Sequence, residues 1–367
     1  MKLLMSTTVS LVCFALFLSC AGGAQPGDMQ VDTRVSPDSF IIRKADSLYK
    51  KHDLPGIFIG VLDSGKRRYF NFGYADPDKK MPFDSATVFE AASITKTFTA
   101  YVLEAVLNEK KISDSSSIIQ YLPDSVQSNK ALAGISFLQL LNHTSGLPRL
   151  PENIDLQSNP MQPYELYGSD LLFAYLKTCT PKPDGKSNYS NLGMGLAGVM
   201  AERISGKSYA SLLEEYIFQP FGLGTQVSLN PVTANKSQGY FENTKSDFWN
   251  LGILAPAYGL KSTAAGMLDY LERMANPVND SSQQLINKLL EPTIAMSPEV
   301  KVCRGWHSLE QKGKPAIYWH NGGSYGFSVF AGFTKNPLKA VIVVVNKFNF
   351  NTVSDGLGIS IMRKLFQ

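Results

Sequence analysis

Residues 89–96 read Phe89-Glu90-Ala91-Ala92-Ser93-Ile94-Thr95-Lys96 and open into a run in which Val102, Leu103, Val106 and Leu107 keep helical spacing. Ser93 and Lys96 are three apart, a spacing that puts both side chains on one face of a helix. A serine hydroxyl is a poor nucleophile until a neighbouring base takes its proton, and a helix N-terminus favours the negative charge that then develops. Lysine is such a base only where burial or a neighbouring charge lowers its pKa. The same S-x-x-K pattern occurs at Ser47-Leu48-Tyr49-Lys50, which reads as a surface helix, so for residues 93–96 the competing reading is an ordinary helix start. Context separates the two. The second tetrad follows a loop and begins an apolar helix, where a side chain can face a cleft.

Outward from this stretch, residues 38–52 carry Ile41, Ala45 and Leu48 at helical spacing. Residues 56–62 form a continuous apolar run too short for a typical helix, and residues 68–74 alternate aromatics. The turn Asp63-Ser64-Gly65-Lys66 between them is a strong hairpin signal. The middle of the chain is helical pattern broken by loops, at residues 135–141, 170–177, 192–204, 209–218 and 263–274. Strand character returns at 316–319, 327–333 and 340–345, and an amphipathic segment follows at 354–366. Strands near both ends with helices between them predict an α+β (α/β) fold: a mixed antiparallel sheet built from both termini, flanked by helices, with a mostly helical insertion. The expected division is a sheet domain of residues 38–110 plus 276–367, an insertion of 111–275, and an active site between them.

Two further segments carry candidate chemistry. In Asn188-Tyr189-Ser190-Asn191, just before the helical pattern of 192–204, a tyrosine and an asparagine two apart can both project into one cleft. A phenol near an ammonium can share its proton, and an amide can hydrogen-bond an acyl-amide substrate. The plainer reading is an N-cap by Ser190 or Asn191. In Trp319-His320-Asn321-Gly322-Gly323-Ser324, glycines let a backbone approach a ligand closely, and a free N–H there can help bind an oxyanion. Here the plainer reading is a glycine-containing turn with a histidine at the strand end.

In this order and at these separations, the three segments resemble the serine β-lactamase and penicillin-binding-protein superfamily, most closely its class C-like branch with D-alanyl-D-alanine carboxypeptidases, D-aminopeptidases and esterases. The resemblance runs from about Asp38 to the C-terminus. It is supported by Leu140-Leu141-Asn142-His143-Thr144-Ser145-Gly146-Leu147-Pro148, Ile217-Phe218-Gln219-Pro220-Phe221-Gly222-Leu223 and Tyr258-Gly259-Leu260-Lys261-Ser262-Thr263-Ala264. It implies a β-lactamase/transpeptidase-like fold and a serine hydrolase. Ser93 is then acylated, Lys96 and Tyr189 shuttle its proton, Asn191 holds the substrate amide, and the N–H groups of Ser93 and Gly323 form the oxyanion hole beside Gly322. His320 stands where many relatives have the lysine of K-T-G, and a neutral histidine gives a β-lactam carboxylate no fixed charge. His143 and Gly146 read as structural. No counterpart of the class A deacylating glutamate is visible. Implied substrates are small molecules or peptidoglycan-type peptides. Acyl transfer from the same serine to an alcohol or amine is the alternative activity, and a penicillin-binding sensor without turnover the non-catalytic one.

Composition agrees with an ordinary globular chain: of 367 residues, 44% are hydrophobic and 18% charged, with a net charge of +4. Lysines and arginines are scattered, so nucleic acid is not an expected partner. Residues 1–24 read as an export signal, with one lysine, an apolar run and then small residues, which places the protein in the periplasm or cell envelope. Leu18-Ser19-Cys20-Ala21 resembles a lipoprotein box that would lipidate Cys20 and attach the chain to a membrane; cleavage after Ala24 is the alternative. Residues 25–37 read as a tether. Cys179 and Cys303 either pair or stay as buried thiols, and the four histidines show no metal-ligand spacing, so no metal or cofactor is expected.

Overall fold

A computed structural model describes residues 35–230, 232, 234–250 and 252–367. The signal segment, the Cys20 box and residues 25–34 of the tether lie outside the described residues.

The hairpin Gly56–Asp63 (β1) and Lys66–Gly73 (β2) turns on Ser64 and Gly65, both with positive φ, as a two-residue turn with right-handed strand twist requires. β1 also pairs with Lys339–Val345 (β13), so the chain's two ends meet in one sheet. The sheet continues through Ser328–Thr334 (β12), Ile317–Gly323 (β11), His307–Leu309 (β10), Val300–Val302 (β9) and Ile294–Ala295 (β8), in the order β2-β1-β13-β12-β11-β10-β9-β8, with every neighbouring pair antiparallel, while Val88–Glu90 (β3), Val227–Ser228 (β4), Gly239–Phe241 (β5), Thr244–Ser246 (β6) and Lys261–Thr263 (β7) form two smaller sheets. The architecture is therefore the expected α+β one. The sequence reading had no strand over β8–β10, whose two or three residues are too few to show a period of two.

Alternation divides the sheet's side chains between two layers. Ile57, Ile59, Val61, Val341, Val343, Val345 and Phe330 face outward, under the helices Pro37–Lys51 (α1) and Asn351–Lys364 (α7), which contribute Ile41, Ala45, Leu357 and Ile361. Phe58, Leu62, Ile342, Val344 and Ala331 face the other way. There the helix Ala264–Ala275 (α5) lies against β1, β12 and β13. Because α5 packs on the sheet, the stretch 111–275 holds a sheet-packed helix as well as the more distant helices Ser169–Leu176 (α3) and Asn191–Ser205 (α4).

Thr95–Glu109 (α2) is the central helix, buried on all sides from Thr95 to Leu107. It carries polar residues that must find partners there. Tyr270 Oη donates to Thr97 Oγ1 (3.1 Å), and Thr99 Oγ1 donates to Pro256 O (2.6 Å). Farther along, Glu104 accepts from Lys288 of Asp280–Leu290 (α6) at 2.7 Å, while Arg304 Nε bonds Asp114 at 2.9 Å. This cluster clamps the turn at Gly305, where φ is +71° and a Cβ would stand 2.8 Å from Lys96 O. Only glycine allows that approach.

Burial raises the Glu104 carboxyl to about 7, against the opposing pull of Lys288. A carboxyl that holds its proton more tightly folded than unfolded loses stability as pH rises from the unfolded value towards the folded one. Measured against Glu104→Gln by urea denaturation, wild type is expected to lose roughly 2–3 kcal/mol between pH 5 and pH 8. A difference that stays flat with pH refutes this.

Cys179 and Cys303 are both buried free thiols, so the buried-thiol alternative holds and the disulfide does not. Among the described residues no helix is long and apolar enough to cross a membrane.

Candidate active site

Three chain segments converge on Ser93. The first is its own. Val88–Glu90 (β3) pairs with Lys261–Thr263 (β7), Ala91 N–H donates to Leu260 O (2.9 Å), and a 3-10 turn over Ala92–Ile94 leads into α2. Ala92 has φ +47°, an unusual conformation for a residue with a Cβ, and it is completely buried. Strain of this kind persists only where its surroundings hold it. Thr95 supplies the hold: its Oγ1 donates to Ala92 O (2.6 Å) and accepts from Leu260 N (3.1 Å). The bend leaves Ser93 partly exposed, as Tyr189 and Gly323 are.

Lys96 is fully buried and reaches back one turn, with Nζ 2.9 Å from Ser93 Oγ and 2.7 Å from Ala257 O. The rings of Tyr189 and Tyr258 flank the amine at 4.9 and 5.0 Å. Burial holds the Tyr258 phenol well above its ordinary pKa, so it stays protonated. The tetrad at residues 47–50 sits instead on α1, with Ser47 and Lys50 exposed and Lys50 paired to Asp46.

The second segment is Tyr189-Ser190-Asn191, and it serves both readings at once. Ser190 caps α4 by accepting from Gly193 N (2.9 Å) and donates to Pro148 O (2.7 Å). Its own N–H donates to His143 Nδ1 (3.2 Å), while Asn191 N donates to Arg149 O (3.0 Å). The 143–149 loop thus templates the bend that turns Tyr189 towards Lys96. Gly146, at φ +71°, has no room for a Cβ against Lys182 and Pro183. Asn191 is buried, and its Oδ1 has no partner among the described residues. A buried acceptor without a donor is costly. The Arg149 guanidinium lies 5.2 Å from the Tyr189 ring centre, a cation whose position no sequence pattern signalled.

The third segment is β11. Of the two readings of these glycines the turn does not hold: His320, Asn321, Gly322 and Gly323 are all paired with β12, and the turn comes at Ser324. The reason is packing against the serine. A Cβ on Gly322 would stand 2.4 Å from Ala91 O and 3.0 Å from Ser93 N, so the glycine serves close approach within a strand. Asn321, pointing to the other face, donates to Asp355 Oδ2 (2.6 Å), and Asn351 Nδ2 donates to Gly322 O (2.8 Å). α7 therefore holds β11 from behind. Burial keeps the Asp355 carboxyl at about 7.

His320 Nδ1 is 2.6 Å from Asn321 O, which can only accept, so Nδ1 carries the proton. Its Nε2 is buried without a partner among the described residues, and burial, with the Lys96 ammonium nearby, holds the imidazole well below its ordinary pKa. His143, 4.5 Å from the Tyr189 ring, is lowered in the same way, and His307 is lowered to about 4 by burial. The site's histidines are therefore neutral. Among the described residues no group of three or more His, Cys, Asp or Glu side chains is arranged to hold a metal ion.

The arrangement has a serine hydroxyl against a buried amine, a phenol on the amine's other side, an orphaned amide oxygen, and two backbones in contact at Ser93 and Gly322. The beta-lactamase family model matches residues 41–361. The chain is 30% identical over 230 residues to a beta-lactamase of Providencia stuartii, covering 61% of this chain and 56% of that one. It is 28% identical over 279 residues to a beta-lactamase of Escherichia coli K12, covering 74% and 71% respectively. With a beta-lactamase of Pseudomonas fluorescens the identity is 31% over 244 residues, or 63% of each chain.

Proposed function

The chain belongs to the beta-lactamase family, and from that premise we propose that it is an exported serine hydrolase working through an acyl-enzyme on Ser93, with peptides, amides or esters as substrates. The observation that carries the reading is the 2.9 Å contact between Lys96 Nζ and Ser93 Oγ inside a site closed by Tyr189 and Tyr258. Ser93 Oγ attacks the carbonyl carbon as its proton passes to Lys96. The oxyanion meets the N–H groups of Ser93 and Gly323. Collapse breaks the bond to the leaving group, which takes a proton back through Tyr189 and Lys96. Water then repeats the cycle on the acyl-enzyme, releasing the acid and restoring Ser93. Asn191 Oδ1, an acceptor with no partner among the described residues, accepts a substrate amide N–H. Export, and anchoring through Cys20, rest on residues 1–24 of the sequence.

Incubation of the mature protein with a fluorescent penicillin and with p-nitrophenyl esters, followed by intact-mass and peptide mapping, tests this. Hydrolysis with an acyl adduct on Ser93 is expected. Neither adduct nor turnover with any such reagent would sink the proposal, and a stoichiometric adduct that never turns over would reduce it to a binding protein.

His320 bears on which acyl donors the site takes. A neutral imidazole offers no charge to a carboxylate, so penicillins are expected to bind weakly relative to uncharged esters. His320→Lys places a cation there, and a charged hydrogen bond contributes ~1.5–3 kcal/mol net. The ratio of KM for ester to KM for penicillin is expected to rise about tenfold in the variant, and an unchanged ratio would refute the assignment.

A further inference from the structure

Glu90, three residues before Ser93, is buried at 3% exposure between Phe89 and Ala91, which have none. The charge of Lys261, its cross-strand partner, acts on it, but among the described residues no ion pair joins the two. A carboxylate is a costly choice for such a place. Its two oxygens are nevertheless both used: Ser324 Oγ–H donates to Oε2 (2.6 Å) and the Trp249 backbone N–H donates to Oε1 (2.6 Å). Resting on the reading of Ser93 as nucleophile, we propose that Glu90 is the positioning residue of the oxyanion hole, its carboxylate fixing the Ser93 turn to the end of β11 and to the loop that seats Lys96.

The argument is one of connectivity. The hole needs one N–H from Ser93 and one from Gly323, which lie on separate chain segments. Glu90 is joined to the first by three residues of chain, in which the Ala91 N–H bond to Leu260 O holds the middle in place. Ser324 directly follows Gly323 and is itself held at the turn, its N–H donating to Phe327 O (3.0 Å). One hydrogen bond therefore spans the gap whose width sets the distance between the two donors. Hydrogen-bond strength at an oxyanion depends steeply on that distance, and small misplacements cost large factors in rate.

The second oxygen extends the same control to the base. Trp249 packs its indole on Tyr325 (4.9 Å) and Tyr164 (5.1 Å) and stands 5.9 Å from Tyr258, the ring beneath Lys96. Residue 257, adjacent to Tyr258, supplies the carbonyl that Lys96 bonds. An aliphatic side chain at position 90 would fill the space and tie neither segment.

The test is pre-steady-state acylation by a chromogenic ester, together with the affinity of a boronic acid that forms a reversible tetrahedral adduct on Ser93. Glu90→Ala is expected to lower the acylation rate about 100-fold with KM within twofold, and to weaken the boronate in step. Ser324→Ala, which cuts only the β11 arm, is expected to lose about tenfold. Glu90→Gln can accept from Trp249 and donate to Ser324 Oγ, and recovers to within about threefold of wild type. A folded Glu90→Ala that acylates at the wild-type rate overturns the proposal, as does a loss confined to KM or to the fraction folded. If Glu90→Ala does not fold, Ser324→Ala decides by the same criteria. Failure of wild-type Ser93 to acylate at all overturns the functional reading and this inference with it, an outcome distinct from equal rates in wild type and variants.

Discussion

Ser93→Ala is expected to lower ester and amide hydrolysis by at least 10³-fold and to abolish the acyl adduct in the mass spectrum, while the protein stays folded. The size follows from what is removed. With no Oγ there is no covalent intermediate, and Lys96 and Tyr189 have no proton to take; what is left is whatever substrate orientation and the oxyanion donors give to direct attack by water, which in serine enzymes is a small residue of the whole. The stability cost is small. Ser93 is partly exposed and gives up one hydrogen bond with Lys96, a net contribution of about 1 kcal/mol, and Lys96 keeps Ala257 O as a partner. Hydrolysis, adduct mass and Tm measured on the same preparation check the prediction. A folded variant that hydrolyses normally would move the chemistry to another residue, and a variant that is lost with its fold would make Ser93 structural.

Much of this site was legible in the sequence because its parts are local patterns. S-x-x-K at a helix start needs only helix geometry to place a lysine against a serine, and Tyr189 and Asn191 need only the N-cap at Ser190 to share an orientation. The sheet was legible where strands were long enough to show as an apolar run or as alternation, in β1, β2, β12 and β13, and where a two-residue turn announced a hairpin. Other parts depend on contacts between distant segments, and no local pattern encodes those. The glycines of β11 left a turn and a close approach both open, because glycine serves positive φ and close approach alike, and only the presence of Ala91 and Ser93 across the gap selects the second. Ala92 carries no signal of its positive φ, since alanine seldom adopts it. Arg149, Asn351, Asp355 and Glu90 act on Tyr189, Gly322, Asn321 and Ser324 from far along the chain.

These long-range contacts share a direction. Asn351 and Asp355 press β11 from the outer helix layer, Glu90 holds its end from the inner side, and the 143–149 loop fixes the Tyr189 segment. Each catalytic candidate sits at the margin of an element whose interior is packed, so the site inherits rigidity from both layers of the core. Rigidity of that kind is what lets a buried amine be kept beside a hydroxyl without collapsing onto a better partner.

Lys96→Met follows from that placement and separates catalysis from stability. Methionine is unbranched, apolar and of similar length, so it fills the space between the Tyr189 and Tyr258 rings without an ammonium to desolvate. Lys96 has no exposed surface, and its Nζ meets the Ser93 hydroxyl and the Ala257 carbonyl. Replacing a buried charged group by a hydrophobe of the same volume is often neutral or stabilising. Against that stands the Ala257 carbonyl, which loses its donor at a cost of about 1–3 kcal/mol. The two effects oppose each other, so Tm is expected within a few degrees of wild type in either direction. Activity has no such compensation. General base catalysis contributes about 10²–10⁴-fold, and acylation by an activated ester is expected to fall by that factor while noncovalent binding of the same ester persists. Stopped-flow acylation, an equilibrium binding titration and a thermal melt on one sample decide the matter. Slow acylation in a stable protein assigns the proton transfer to Lys96, whereas acylation at the wild-type rate would pass it to Tyr189 and leave the lysine a structural role.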